Sequence, residues 1–143
     1  MEIRKMTIAD YEPIYRLWTN TDGMGLRSID DSKEGIEKFL NKNPNTNFVA
    51  ENDGEVIGVI LSGNDGRRGF IYHTAVNTSH RGQKIGKALL NSVYAAMKEE
   101  GINKMGLLVY TNNDSGNAFW IAQDWVNRSD LYYYDKNFNE ENL

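Results

Sequence analysis

The sequence predicts an α/β fold built on a sheet of mixed strand direction. Three observations predict it: a hairpin signal centred on Asp53-Gly54, an amphipathic period from Ile85 to Glu100, and a buried-strand pattern from Met105 to Tyr110 just after that helix. Strands that follow one another first through tight turns and then through helices belong to such a sheet. A chain of 143 residues with 40% hydrophobic and 11% aromatic content buries one sizeable core but not two ordinary ones, so residues 1–143 read as a single domain.

Taken in order, Ile3 and Met6 lie in a short first strand. Thr7, followed three residues later by Asp10, resembles a capping box that opens a helix toward Asn20, with Ile14, Leu17 and Trp18 as its apolar stripe. Thr19 to Ser28 holds two glycines and no period, so it reads as a loop suited to covering a substrate. A second helix follows, capped by Asp31 or Ser32, with Ile36, Phe39 and Leu40 inward and Pro44 beyond its end. Phe48–Glu51 and Val56–Leu61 flank the Asp53-Gly54 turn, and a second turn at residues 65–69 leads into Phe70–Val76. The next helix carries Ile85, Leu89, Val93 and Met97 on one side and Gly101 at its C-cap. Beyond Met105–Tyr110, Ser115–Gln123 forms a short helix and Val126–Tyr134 one or two closing strands.

Composition removes several function classes. A net charge of −4 gives no broad basic face for phosphate neutralisation, which argues against nucleic-acid binding. No apolar run reaches the roughly 18 residues of a membrane span and no signal-peptide pattern opens the chain, so no membrane partner and a cytoplasmic location are expected. Without cysteine there is no disulfide framework, thiolate metal site or Cys nucleophile, and His73 and His80 lack a metal-ligand spacing, so no metal is expected.

Against that acidic background, residues 81 to 87 carry Arg81, Lys84 and Lys87 with no acid among them. The full segment, Ala75-Val76-Asn77-Thr78-Ser79-His80-Arg81-Gly82-Gln83-Lys84-Ile85-Gly86-Lys87, is a strand, a loop and a helix start with two glycines. Amides at a helix N-terminus lack intrahelical acceptors and sit at the positive end of the dipole. Glycine there lets a diphosphate approach the main chain, and the cations add charge.

This segment resembles the acetyl-CoA-binding signature of the GNAT superfamily of N-acetyltransferases, Q/R-x-x-G-x-G/A, with Arg81 and Gly86 on the pattern and Lys84 where the middle glycine is usual. The order of elements from Ile3 to about Tyr134 is similar as well. So is Asn113-Asp114-Ser115-Gly116-Asn117-Ala118-Phe119-Trp120, which resembles the stretch that contacts the pantetheine arm. The resemblance implies a mostly antiparallel central sheet flanked by helices on both faces, and an enzyme that moves acetyl from acetyl-CoA to a small-molecule or peptide amine by direct attack. The implied acetyl-CoA contacts are Ala75 and Val76 at the strand end, Arg81, Gly82, Gln83, Lys84, Ile85, Gly86 and Lys87 in the turn, and Asn113, Asn117 and Trp120. The Val76 N–H would support the oxyanion.

A base must take a proton from the ammonium, and His73 is the first candidate, Glu51 the second. His73 is read on one face with Ile71 and Ala75, a placement that equally suits a structural histidine. Trp120 stands where many members carry Tyr, and an indole N–H is no useful acid, so Tyr110 and the Tyr132-Tyr133-Tyr134 run are the candidate acids. Asp124 replaces the usual glycine of a turn that requires a left-handed residue. Two readings compete: a non-catalytic acyl-CoA sensor on the same fold, and an unrelated nucleotide-binding domain. Monomer and homodimer are both open.

Overall fold

The computed structural model describes residues 1–143. Five strands form one sheet in the order β1 (Glu2–Lys5), β2 (Phe48–Asn52), β3 (Glu55–Asn64), β4 (Gly69–Val76) and β5 (Met105–Leu107). The first four are antiparallel neighbours and β5 runs parallel to β4. The helices are α1 (Tyr11–Thr19), α2 (Lys33–Lys42), α3 (Ile85–Glu99) and α4 (Asp114–Ala122).

Strand alternation sends side chains to two cores. On one face Ile14, Leu17 and Trp18 of α1 and Ile36 and Leu40 of α2 pack on Val49, Val59, Leu61 and Ala75. On the other, Ile85, Leu89, Leu90, Val93 and Met97 of α3 cover Ala50, Ile57, Ile60 and Ile71, with Phe119 and Trp120 of α4 at the margin. The mixed, mostly antiparallel sheet with helices on both faces is therefore the architecture expected. α2 is capped by Ser32, whose Oγ accepts from the Gly35 N–H, and Asp31 is left for other work. Gly101 beyond α3 and Asp124 beyond α4 both take left-handed conformations, φ +76° and +66°.

Three local expectations need correction. The Thr7–Asp10 capping box is present, with the Asp10 carboxylate accepting from the Thr7 N–H, but it opens a 3-10 turn, Ile8–Asp10, that precedes α1. The strand expected to reach Tyr110 stops at Leu107. Most consequentially, Val126–Tyr134 forms no strand. The Tyr132 and Tyr134 rings lie 6.5 Å apart, but no neighbouring strand pairs with the segment. β-Propensity marks such a segment and only a ladder makes it a strand. The tail's backbone is tied instead to the α1–α2 loop, where the Ser28 N–H donates to the Leu143 carbonyl at 2.8 Å.

One charged cluster fastens the first strand. The Arg4 guanidinium donates to both Asp10 carboxylate oxygens at 2.9 Å and to Glu51 at 2.7 Å, joining β1, the 3-10 turn and β2. Burial opposes ionisation of Asp10, but the Arg4 and Thr7 donors outweigh it and hold the carboxyl below its ordinary range. Arg4→Met should cost about 2 kcal/mol at pH 7, because it strands a buried carboxylate. Since the folded pKa of Asp10 is depressed, this contribution is present at neutral pH and is lost as the pH falls below about 4. Urea unfolding of both proteins at neutral and acid pH checks this, with the gap between them closing in acid.

Candidate active site

The site begins where the sheet opens. β5 is paired to β4 only at Gly69–Met105, Phe70–Gly106 and Ile71–Leu107, while β4 continues to Val76. At the far end the Asn77 N–H donates to the Ile57 carbonyl on β3 at 2.7 Å. Backbone groups alternate sides along a strand, so the Val76 N–H points the other way, to the edge that β5 has left. The opening is a cleft of about 1340 Å³. That exceeds the roughly 300–1,000 Å³ of a single-ligand pocket and suits two reactants.

One wall is the turn before α3. Asn77 Oδ1 accepts from the Ser79 N–H, Gly82 takes φ +82° with open space where a Cβ would lie, and Lys84 takes φ +61°. A non-glycine residue in that region costs about 1–2 kcal/mol. The helical ladder begins only with the Ala88 N–H to the Lys84 carbonyl. The amides of Gly82, Gln83 and Lys84 lie outside any element and have no protein acceptor, and those of Ile85, Gly86 and Lys87 precede the ladder. Arg81, Gly82, Lys84, Ile85, Gly86 and Lys87 line the cleft with Ala75 and Val76, whereas the exposed Gln83 side chain does not. Gly86 has a different reason from the one its motif suggests: a Cβ there would stand 3.2 Å from the Phe119 ring, so it serves α3–α4 packing.

The opposite wall is α4. Asn113 lines the cleft and caps the helix, its Oδ1 accepting from the Gly116 N–H at 3.0 Å. Asn117 does not line the cleft. Its Nδ2 donates to the Tyr110 and Asn113 carbonyls at 3.0 and 2.8 Å, so it fixes the turn instead of meeting a ligand. Trp120 lines the cleft and packs edge-on against Phe119 and Trp125, with no hydroxyl to offer.

The remaining wall is the α1–α2 loop, which covers the cleft as its composition suggested. Gly23 and Gly25 hold positive φ, and a Cβ on either would meet Asn113 at 3.1 Å or the Tyr110 hydroxyl at 2.8 Å. Tyr110 therefore lies in the cleft under the loop, and Tyr133 reaches it too, while Tyr132 and Tyr134 face solvent. Burial pushes the hydroxyl of Tyr72, another lining residue, above its ordinary value, with Tyr133 and Asp30 adding to the effect.

His73 and Glu51, paired as candidates in the sequence, are separated by the structure. Glu51 is absent from the cleft lining and its carboxylate is held by Arg4, which removes it as a base. His73 lines the cleft, and its Nε2 lies 2.8 Å from Asp31 Oδ1. Its face also needs correction. Ser62 pairs with Ile71 and Ile60 with Thr74, so β4 bulges at Tyr72–His73. The extra residue sends Ile71 to the α3 side and leaves His73 with Ala75 on the α1 side, its ring 4.9 Å from that of Trp18. Thr74 also lines the cleft and was not legible in the sequence, because it belongs to no spaced motif.

The matches to other proteins agree with this geometry. The Acetyltransferase (GNAT) family profile matches residues 10–123. An acetyltransferase of Sodalis glossinidius is 37% identical over 115 residues, 80% of each chain, and one of Pectobacterium atrosepticum is 36% identical over the same shares. In fold, Ard1 of Thermoplasma volcanium superposes with TM-score 0.77 at 22% identity, over 87% of this chain and 82% of its own. The PaiA N-acetyltransferase of Thermoplasma acidophilum, solved in complex with coenzyme A, gives 0.73 at 24% identity over 85% and 87%. The chain thus belongs to the GNAT acetyltransferase family.

Proposed function

We propose that this acetyl-CoA-dependent acyltransferase transfers acetyl to a primary amine by direct attack. The observation that carries the reading is the open edge of β4. It sets the free Val76 N–H between the amide-rich turn on one side and His73 on the other. The residues present fit the donor: consecutive N–H groups from Gly82 to Lys87, with Arg81, Lys84 and Lys87, suit a diphosphate, and Gly82 leaves room for it. Acetyl-CoA supplies an acyl group already activated as a thioester.

The chain's own residues then supply three things. The Val76 N–H donates to the oxygen of the acyl carbonyl as charge develops there. His73, with Nε2 engaged by Asp31, has Nδ1 left to take the proton the ammonium must lose. The α1–α2 loop and Tyr110 form the wall against which the acceptor would lie. The amine nitrogen bonds to the carbonyl carbon, the C–S bond breaks, and the second proton the nitrogen sheds passes to the departing thiolate through solvent or Tyr110.

The acceptor is a small-molecule or peptide amine. Two structural neighbours are an aminoglycoside acetyltransferase bound to a bisubstrate analogue, AAC(6')-Iy, and a ribosomal-protein-alanine N-acetyltransferase of Brucella melitensis. Their range supports an amine without narrowing it. Trp120, wedged between two aromatic rings with no acidic proton, favours a second reading, a sensor that binds acyl-CoA without turnover.

Thiol release from acetyl-CoA with a panel of polyamines, aminoglycosides and peptide N-termini separates the two. Turnover with at least one amine is expected, and tight binding with no thiol release from any would favour the sensor. With the best amine, His73→Gln should lower kcat about 100-fold and leave the KM for acetyl-CoA within about twofold, as loss of a general base requires.

A further inference from the structure

Asp31 sits outside the helix-capping work the sequence assigned to it, and its bonds are unusually complete for a residue at the end of a loop. Oδ1 meets His73 Nε2 at 2.8 Å, and Oδ2 accepts from the Arg27 N–H at 2.7 Å. The Asp31 N–H returns to the Arg27 carbonyl at 3.0 Å, and the Asp31 carbonyl accepts from the Tyr11 hydroxyl at 2.7 Å. Both its carboxylate oxygens and its backbone are therefore fixed, the side chain being only 10% exposed. A carboxylate held this way on one ring nitrogen sets which nitrogen of a histidine carries the proton.

We infer that Asp31 is a positioning residue for the base: it holds His73 in the Nε2–H tautomer and leaves Nδ1 free to accept the proton of the incoming amine. The inference rests on the reading of His73 as the base. It also gives the α1–α2 loop a second role. The segment that covers the acceptor, Asn20 to Arg27, runs directly into the Arg27–Asp31 turn whose carboxylate orients the base.

Asp31→Asn tests this with almost no change of shape. The asparagine keeps its oxygen on the Arg27 N–H and turns its NH₂ toward His73, so Nε2 has to accept and the proton moves to Nδ1. The ring ¹⁵N shifts of unliganded protein should report Nε2–H in the wild type and Nδ1–H in the variant. The kcat should fall about as far as in His73→Gln, roughly 100-fold. The KM for acetyl-CoA should stay within twofold, and the double variant should be no slower than His73→Gln alone. The inference is overturned if the wild-type ring carries its proton on Nδ1, or if Asp31→Asn keeps its kcat. It is also overturned if Asp31→Asn slows the His73→Gln background as much as the wild type, the mark of a purely structural bond. Full activity of His73→Gln would remove the base assignment itself, and the ¹⁵N shifts would still tell that failure from this one. Thermal melting of both variants confirms that each is folded.

Discussion

The site depends on backbone hydrogen bonds that the fold leaves unmade. A strand inside a sheet gives up its N–H and C=O groups to two neighbours, but β4 has a partner on its outer edge only through Ile71. From Tyr72 to Val76 that edge is bare, and buried or half-buried amides without partners are costly enough that native chains keep few of them. The parting of β4 and β5 thus makes the cleft and also leaves the Val76 N–H unpaired at its edge. The bulge at Tyr72–His73 is part of the same geometry, because it turns His73 to the α1 side while Thr74 and Val76 stay on the α3 side.

The second set of unmade bonds lies one turn further along. The amides before the α3 ladder are gathered by the turn that Asn77 starts and by the left-handed residues Gly82 and Lys84. On the proposed reading a protein of net charge −4 would hold a polyanion by local attraction, from oriented N–H groups and three cations, with the overall charge playing little part. Lys84 holds a left-handed conformation at φ +61°, at some strain, and adds a charge there.

The elements whose pattern repeats over many residues were legible in the sequence. The stripe Ile85, Leu89, Val93, Met97, the Asp53-Gly54 hairpin and the cation-rich turn all stand where their spacing put them. What the sequence hid was relational. A one-residue bulge reversed the face of Ile71 relative to His73, the Arg4 guanidinium captured Glu51, and the Asn113 turn used Asn117 for itself. Asp31 looked like a cap because it stands beside a helix start, and only the fold brings it to His73, 42 residues away. The Tyr132–Tyr134 run had strand propensity but no ladder to join.

The central claim is that the free amides from Gly82 to Lys87, with that of Val76, receive the acyl donor. Titrating ¹⁵N-labelled protein with coenzyme A and following each backbone amide tests it without requiring an acceptor. The account predicts that the largest shifts fall on Gly82, Gln83, Lys84, Ile85, Gly86 and Lys87, with a further shift at Val76 when acetyl-CoA replaces the free thiol. Saturating coenzyme A that left these amides unmoved, or that moved another surface instead, would contradict it.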